Sequence, residues 1–208
     1  MSSVPQRVLS EEEFLAFENQ SEARHEFYRG EVFAMTGASI RHNRIASNIV
    51  VALGKRLAGT PCVPYISTQR IKVAASGLYT YPDASVVCGE PAVDPVDQFS
   101  ITNPTSLVEV LSPTTEHYDR GDKFNFYKRL AALRCYLLVS QVAARVEVHS
   151  CDQDGNWTCT EFTDMKKSLR LPKIGIELPL EEIYAGVTFD PPQNRDGGEF
   201  LPIHPRSS

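Results

Sequence analysis

Apolar and polar residues alternate along the first third of the chain in patterns that predict two helices and a hairpin. Ser10, with Glu13 three residues later, has the spacing of a capping box, and the apolar residues after it predict a helix over about residues 11–18. In residues 41–58, apolar side chains recur at every fourth position, which predicts a long amphipathic helix. Between the two helices, the extended segments on either side of Gly30 predict a β-hairpin.

Short apolar runs in the middle of the chain predict β-strands, and these are residues 65–73, 79–88, 107–111 and 135–139. Residues 89–106 are rich in proline and aspartate, and we expect them to form a long surface connection. After the third run, Thr114 or Thr115 can cap a helix that extends to about Leu130. The third and fourth strands with this helix form a βαβ unit, so the two strands are expected to be parallel, with a right-handed crossover.

The last third predicts a hairpin, a short helix and a polar tail. Residues 145–149 and 157–162 flank a loop rich in Asp, Asn and Gly, and a short helix is expected near residues 179–184. We therefore expect one domain over residues 1–190 and a mobile polar tail over residues 191–208. The pattern predicts the α/β (α+β) class, with a mixed central sheet flanked by helices and a βαβ crossover after the third strand.

Composition is that of an ordinary globular protein, with 42% hydrophobic and 23% charged residues among 208. No apolar stretch approaches the length of a membrane span, and the N-terminus lacks the apolar core of a secretory signal, so we expect a cytoplasmic protein without a membrane partner. The five cysteines show no paired CxxC spacing, and we expect reduced thiols that mostly lie in the core.

Net charge argues weakly against a large nucleic-acid surface, because its value of -5 opposes binding to a polyanion. A local basic groove is still possible, since Lys and Arg concentrate in residues 41–44, 55–56, 70–72 and 120–134. Charged residues that are dispersed over the surface and solvated would explain the same composition equally well.

Two acids in adjacent strand-like segments give the first indication of chemistry. Asp83 follows Pro82 at the start of one apolar run, and Glu109 lies inside another, Leu107–Leu111. An ionised acid among Val and Leu costs several kcal/mol unless a positive charge meets it. A hard divalent cation is the partner that suits two converging carboxylates, although Asp83 could also be a simple turn residue.

Three ordered segments resemble a known family, and they are Tyr81-Pro82-Asp83, Leu107-Val-Glu109-Val-Leu-Ser112-Pro113 and Tyr118-Asp119-Arg120-Gly-Asp-Lys123. Together they resemble the Uma-two family of restriction endonucleases, within the PD-(D/E)XK nuclease superfamily, and the similarity extends over most of the chain. The resemblance implies a restriction-endonuclease-like fold, with the βαβ crossover after the strand that bears the catalytic acid. The superfamily usually places lysine two residues after the acid, on the same face of the strand. Here that position is Leu111, and Lys123 in the next helix matches the relocated lysine of Uma-two proteins.

The resemblance implies a site in which Asp83 and Glu109 hold Mg²⁺ or Mn²⁺, helped by a main-chain carbonyl near Val110. Lys123 would orient the attacking water or neutralise developing charge. A competing explanation for Lys123 is an i,i+4 ion pair with Asp119.

Further residues are candidates for accessory roles. Glu26 resembles an extra acid that binds a second ion or a water, or it is a solvated charge. His42 opens the long helix and is either functional or a first-turn hydrogen-bonding residue. Asp119 and Tyr127 share a helical face with Lys123 and would support it, and Gln69, with Arg70, could line the same cleft.

The sequence is compatible with three functions. The first is a metal-dependent endonuclease with DNA as its substrate, expected to act as a homodimer because twofold symmetry matches a duplex. The second is a catalytically inactive module that binds nucleic acid or protein on the same scaffold. The third keeps the metal site but acts on a small phosphorylated or nucleotide compound.

Overall fold

Three β-sheets and five short or medium helices make up the computed structural model, which describes residues 8–35 and 37–190. The predicted tail, residues 191–208, lies outside the described residues. In chain order the strands are β1 (His25–Tyr28), β2 (Glu31–Ala34), β3 (Cys62–Ile66), β4 (Arg70–Val73), β5 (Leu78–Thr80), β6 (Ala84–Cys88), β7 (Ser100–Ile101), β8 (Ser106–Leu111), β9 (Cys135–Ser140), β10 (Val146–Cys151), β11 (Trp157–Phe162), β12 (Ser168–Leu171) and β13 (Ile176–Pro179). The helices are α1 (Glu11–Glu18), α2 (Ile40–Leu57), α3 (Glu116–Tyr118), α4 (Phe124–Tyr127) and α5 (Leu180–Ile183), with a π-helical turn, Asp119–Lys123, between α3 and α4.

The central sheet has six strands in the order β11-β10-β9-β8-β6-β3. Its β8–β9 pair is parallel and the other neighbours are antiparallel, so the predicted mixed sheet and the parallel pair of the βαβ unit are confirmed. A second sheet has the order β2-β1-β5-β4-β7, and β12 pairs with β13 in a small third sheet that the sequence did not predict. The architecture confirms the α+β class.

Helix α2 covers one face of the central sheet. Ser39 caps it by accepting a hydrogen bond from the His42 amide, and its apolar stripe is buried against β6, β8 and β9. The buried positions are Ile45, Ile49, Ala52, Leu53 and Leu57. This confirms the predicted long helix, and the capping box of α1 is also present. No helix in the described part of the chain combines the length and apolar character needed to cross a bilayer.

The opposite face of the central sheet packs on the helical segment from α3 to α4 and on the second sheet. Leu107 and Leu111 of β8 point to this side and share a buried cluster with Tyr127 and Tyr136. Side chains alternate along a strand, so Glu109 points to this side as well. The second acid of the motif therefore lies between two sheets rather than under α2.

The helix predicted from Thr114 or Thr115 to Leu130 differs from the observed one at both ends. The Thr115 side chain does not cap it, and its hydroxyl contacts that of Ser112 instead. The helix ends at Tyr127, because the Leu130 amide donates to the Tyr127 carbonyl in a tighter i→i−3 turn. A π-helical turn in the middle, which apolar periodicity did not indicate, contains Lys123.

Two predicted strands are each divided between the two large sheets. Residues 65–73 break at a turn in which the Gln69 amide donates to the Ile66 carbonyl, so β3 joins the central sheet and β4 the second. Residues 79–88 break at Pro82, which has no amide proton for a ladder, so β5 and β6 also lie in different sheets. Asp83 thus lies where the chain passes from one sheet to the other.

The connection over residues 89–106 is less exposed than predicted. It contains β7, and it contributes buried Asp94 and Asp97 to ion pairs with Lys72 and Arg70. Because residues 70–72 are committed to these buried pairs, they do not add to an exposed basic patch.

The expectation that all cysteines are reduced was wrong for two of them. Cys62 and Cys88 are directly paired residues of β3 and β6 and form a disulfide. Their separation of 26 residues carries no disulfide signature, which is why the sequence did not indicate the pair. Cys135 and Cys151 are buried free thiols, and Cys159 is an exposed one.

We predict that Arg70→Met lowers stability and does not act through the cavity described below. Arg70 donates to Asp97 and to the Tyr81 hydroxyl inside the fold, and removing one partner of a buried ion pair costs about 3–5 kcal/mol. The free energy of unfolding in urea measures the loss. Arg170→Met, which breaks an exposed pair with Glu177, serves as the control and should change little. A loss for Arg70→Met no larger than that of the control would contradict the prediction.

Candidate active site

A cavity of about 1570 Å³ opens where the chain passes between the two large sheets. Asp83 at the β5–β6 junction, Glu109 on β8 and Lys123 in the π-helical turn all line it. Glu26 on β1 lines it from the second sheet. Four separate elements therefore bring acidic and basic side chains to one space.

Asp83 is held by two hydrogen bonds from different elements. Its Oδ2 accepts from the Val110 amide at 2.7 Å, and its Oδ1 lies 2.8 Å from Nε2 of His42 in the first turn of α2. The Val110 amide thus orients the aspartate, and the expected role of a main-chain carbonyl near Val110 as a metal ligand stays a prediction. These contacts fix the carboxylate at the edge of the central sheet.

The Lys123 ammonium lies among three carboxylates. Its Nζ is 2.9 Å from Glu26 Oε1, 2.9 Å from Glu109 Oε1 and 3.5 Å from Asp119 Oδ1. Only 5% of Lys123 and 5% of Glu109 is exposed, so this contact lies at the inner end of the cavity. The i,i+4 pair with Asp119 exists, but it is the longest of the three contacts.

Two hydroxyl groups support this cluster from behind. Tyr127 is fully buried and donates to Glu109 Oε1 at 2.8 Å, and Thr80 donates to Glu26 Oε1. The two hydroxyl oxygens are 3.4 Å apart. Tyr127 therefore contacts the predicted acid without lining the cavity, and Thr80 is a supporting residue that the sequence analysis did not identify.

Burial and mutual repulsion shift the pKa values of the acids. Desolvation, followed by the neighbouring Asp119, Asp83 and Glu26, raises the pKa of Glu109 well above its ordinary value, against the opposing effect of Lys123. Desolvation also raises the pKa of Asp119. Desolvation lowers the pKa of Lys123, but Glu109, Tyr127, Glu26 and Asp119 outweigh it, so its pKa is raised and the ammonium stays charged.

The carboxylates exceed the positive charge that the cluster itself provides. Asp83, Glu109, Glu26 and Asp119 face one permanent cation, Lys123. The contacts that described residues make with Glu109 both fall on Oε1, which leaves Oε2 as the oxygen that can meet a cation. This set of oxygen donors suits a hard divalent ion.

Gln69 and Arg70 do not lie in the cavity. The side-chain amide of Gln69 donates to the carbonyls of Phe99 and Arg70, on the far side of the β3–β4 turn. Arg70 is buried against Asp97. The sequence placed both residues in the cleft because the alternation of side chains continues through the turn and predicts a single strand. Ser67 and Thr68 line the cavity in their place.

Arginine side chains surround the mouth of the cavity. Arg24 precedes β1, while Arg41 and Arg44 lie in the first turns of α2. Arg24 and Arg44 are exposed, and Arg41 pairs with the exposed Asp190. Of the predicted basic segments, residues 41–44 are thus at the cavity, whereas Arg56 pairs with Glu182 elsewhere.

The fold and this arrangement of residues define the class of restriction-endonuclease-like proteins. One solved structure, a putative nuclease of the DUF820 group from Anabaena variabilis, matches with a TM-score of 0.70, covering 88% of this chain and 100% of that one at 15% identity. That likeness establishes the fold.

The family model described as "Putative restriction endonuclease", Uma2, matches residues 11–181, so the chain belongs to the Uma-two family. Two relatives come from Synechocystis sp. The uncharacterized protein slr1290 is 36% identical over 90% of this chain and 97% of its own length. The uncharacterized protein sll1609 is 34% identical over 75% of this chain and 88% of its own. Family and fold together support a nuclease-type function.

We predict that, without metal, the stability of the Glu109→Gln variant relative to the unmodified protein increases as the pH rises. Between the ordinary value of 4.5 and its raised pKa, the folded protein retains a proton on Glu109 that the unfolded chain releases, so stability falls across that interval. Glutamine has no proton to lose, and its carbonyl can still accept from Tyr127. The urea midpoint with chelator should therefore favour the variant more at about pH 8 than at about pH 5.

The control for this measurement is Glu181→Gln, which neutralises an exposed acid. It should show no comparable dependence on pH. An advantage of Glu109→Gln that is constant or shrinks with rising pH would contradict the prediction.

Proposed function

We propose that this protein is a metal-dependent endonuclease that hydrolyses phosphodiester bonds in DNA, with Asp83, Glu109 and Lys123 as its catalytic residues. One observation supports this above all others: an aspartate and a buried glutamate from neighbouring strands face one cavity together with a charged lysine. A buried Glu–Lys pair with extra carboxylates around it is a poor way to stabilise a fold. Such a cluster is typical of a site whose residues are retained for chemistry.

Asp83 and Glu109 fit the role of cation ligands, with Mg²⁺ or Mn²⁺ as the ion. When bound, the cation would polarise the phosphodiester and lower the pKa of a water molecule. His42 and the Val110 amide hold Asp83 in a fixed direction, and Tyr127 does the same for Glu109. His42 and Tyr127 are thus positioning residues in this proposal.

Lys123 is placed to act on charge that develops during hydrolysis. Its ammonium is desolvated, and a fixed charge in such a site stabilises an anionic transition state more strongly than in water. Glu26 and Asp119 keep it protonated and direct it toward Glu109. The acid at position 26 is an accessory ligand or a partner of the lysine in this proposal.

The mouth of the cavity suits a polyanionic substrate. Arg24 and Arg44 are exposed there, and guanidinium groups bind phosphate well. This local positive charge accommodates DNA in spite of the net charge of -5 for the whole chain. Assembly as a homodimer stays a prediction, and so does a cytoplasmic location.

We predict cleavage of duplex DNA by the purified protein with Mg²⁺ or Mn²⁺, and none with chelator. Asp83→Asn should abolish it, because the ligand is lost. Lys123→Gln should lower the rate by about 10²- to 10³-fold, the usual effect of removing one group that stabilises transition-state charge. Gel assays on supercoiled and linear DNA measure both effects.

The control is Asp154→Asn, an exposed acid in the loop between β10 and β11 that does not line the cavity, which should retain full activity. Undiminished cleavage by Asp83→Asn would trace the activity to a contaminant and refute the assignment. Parallel assays on RNA and on a small phosphodiester distinguish the substrates. Hydrolysis of the small ester alone would support the third function in place of the first.

A further inference from the structure

A second group of metal-binding side chains lies outside the cavity, on the β10–β11 hairpin. Glu147 and His149 are two residues apart on β10, and Cys159 is the directly paired residue opposite His149 on β11. One ligand atom from each lies within 4.8 Å of the other two. Within the described residues, these three form the group of His, Cys and acidic ligands that meets this distance.

We propose that Glu147, His149 and Cys159 form a binding site for a borderline-soft divalent cation of the Zn²⁺ type. Cys159 Sγ is 3.9 Å from His149 Nε2, which is 3.9 Å from Glu147 Oε2. Bond lengths in tetrahedral zinc sites place neighbouring ligand atoms about 3.5 Å apart, so these two pairs need movements of a few tenths of an ångström, and the Cys159–Glu147 pair lies within 4.8 Å. Three protein ligands leave the fourth position to water.

The chemistry of the three ligands distinguishes this site from the carboxylate cluster. Thiolate and imidazole select zinc-like ions over Mg²⁺, which prefers oxygen. On binding, Cys159 releases its thiol proton to solvent, and the thiolate and Glu147 together neutralise the charge of the ion. Cys159 is exposed, so an ion can approach from solvent.

Two arginines compete for Glu147 but do not saturate it. Arg120 donates to Oε2 at 2.5 Å, while Arg145 lies 2.8 Å from Oε1 without forming a hydrogen bond to it. Oε1 accepts no hydrogen bond in a residue only 8% exposed, whereas Oε2, the oxygen 3.9 Å from His149 Nε2, already accepts from Arg120. The ion would therefore share Oε2 with Arg120 or bind through Oε1. A carboxylate offers about four lone-pair positions, so it can keep an arginine and bind an ion.

A bound ion would also join two strands. Arg120 pairs with Glu116 and Arg145 with Glu161, and Lys128 acts on His149 as a further positive charge, so the charges around the hairpin are balanced before an ion binds. The thiolate formed at Cys159 therefore supplies the additional negative charge. The ion would fasten β11, the edge strand of the central sheet, to β10.

Titration of the full-length protein with Co²⁺ tests the proposal, with Cys159 as a free thiol and the Cys62–Cys88 disulfide intact. Co²⁺ replaces Zn²⁺ with similar geometry, and its bond to a thiolate produces a near-ultraviolet charge-transfer band that carboxylates cannot give. We expect that band to saturate at one equivalent and to disappear when Zn²⁺ is added. Cys159→Ser should abolish it, and His149→Gln should weaken Co²⁺ binding.

The matched control is Cys151→Ser, since Cys151 lies on β10, the strand of Glu147 and His149, but is buried and outside the ligand group. It should retain the band. Absence of the band in the unmodified protein, or its persistence in Cys159→Ser, would overturn the proposal. Neither result bears on Asp83, Glu109 and Lys123, because their site contains no sulfur.

Discussion

The buried Lys123 ammonium is the group on which the organisation of the candidate site depends. It contacts Glu26 from the second sheet, Glu109 from the central sheet and Asp119 from its own helical turn. Without this charge, three carboxylates would be close together in a space with little water, where each raises the free energy of ionising the others. The lysine therefore permits the acids to converge, and it ties both sheets to the helical segment.

The lysine does not complete the electrostatic balance, however. The pKa of Glu109 stays raised because burial and the neighbouring acids outweigh the attraction of Lys123. A structural ion pair would be expected to have nearly matched charges, whereas this cluster retains an excess of acid. The imbalance is a physical reason to regard the cluster as a site for an additional cation, and in the proposed function an anionic substrate depends on that cation and on the arginines at the mouth.

The sequence indicated the main residues of the candidate site better than the strands and contacts around them. Glu109 could be identified because an acid inside an apolar strand requires a partner, and Asp83 because it stands at the start of the neighbouring apolar run. Lys123 came from the resemblance to the Uma-two family. The divided strands could not be predicted, since alternation of side chains has the same period on both sides of the Ser67–Gln69 turn. Thr80 and the disulfide between Cys62 and Cys88 depend on contacts between distant segments, which no local pattern contains.

The division of the two predicted strands between the sheets also explains how Lys123, which lies outside the strand of Glu109, can reach the candidate site. In the usual motif the lysine follows the acid by two residues on one strand, but here Leu111 fills that position and is buried with Leu107 in the core between the sheets. The helical segment packs on that same face, so a lysine in its π-helical turn approaches Glu109 from the opposite side of the interior. Because the chain leaves one sheet for the other at Pro82, Asp83 lies at the open edge of this interior rather than inside it. The two acids are thus neighbours at different depths of one cavity, since Asp83 accepts from the amide of the residue after Glu109, while Glu109 pairs with the buried lysine. In the proposed function this arrangement lets one cation meet both carboxylates while the lysine stays desolvated.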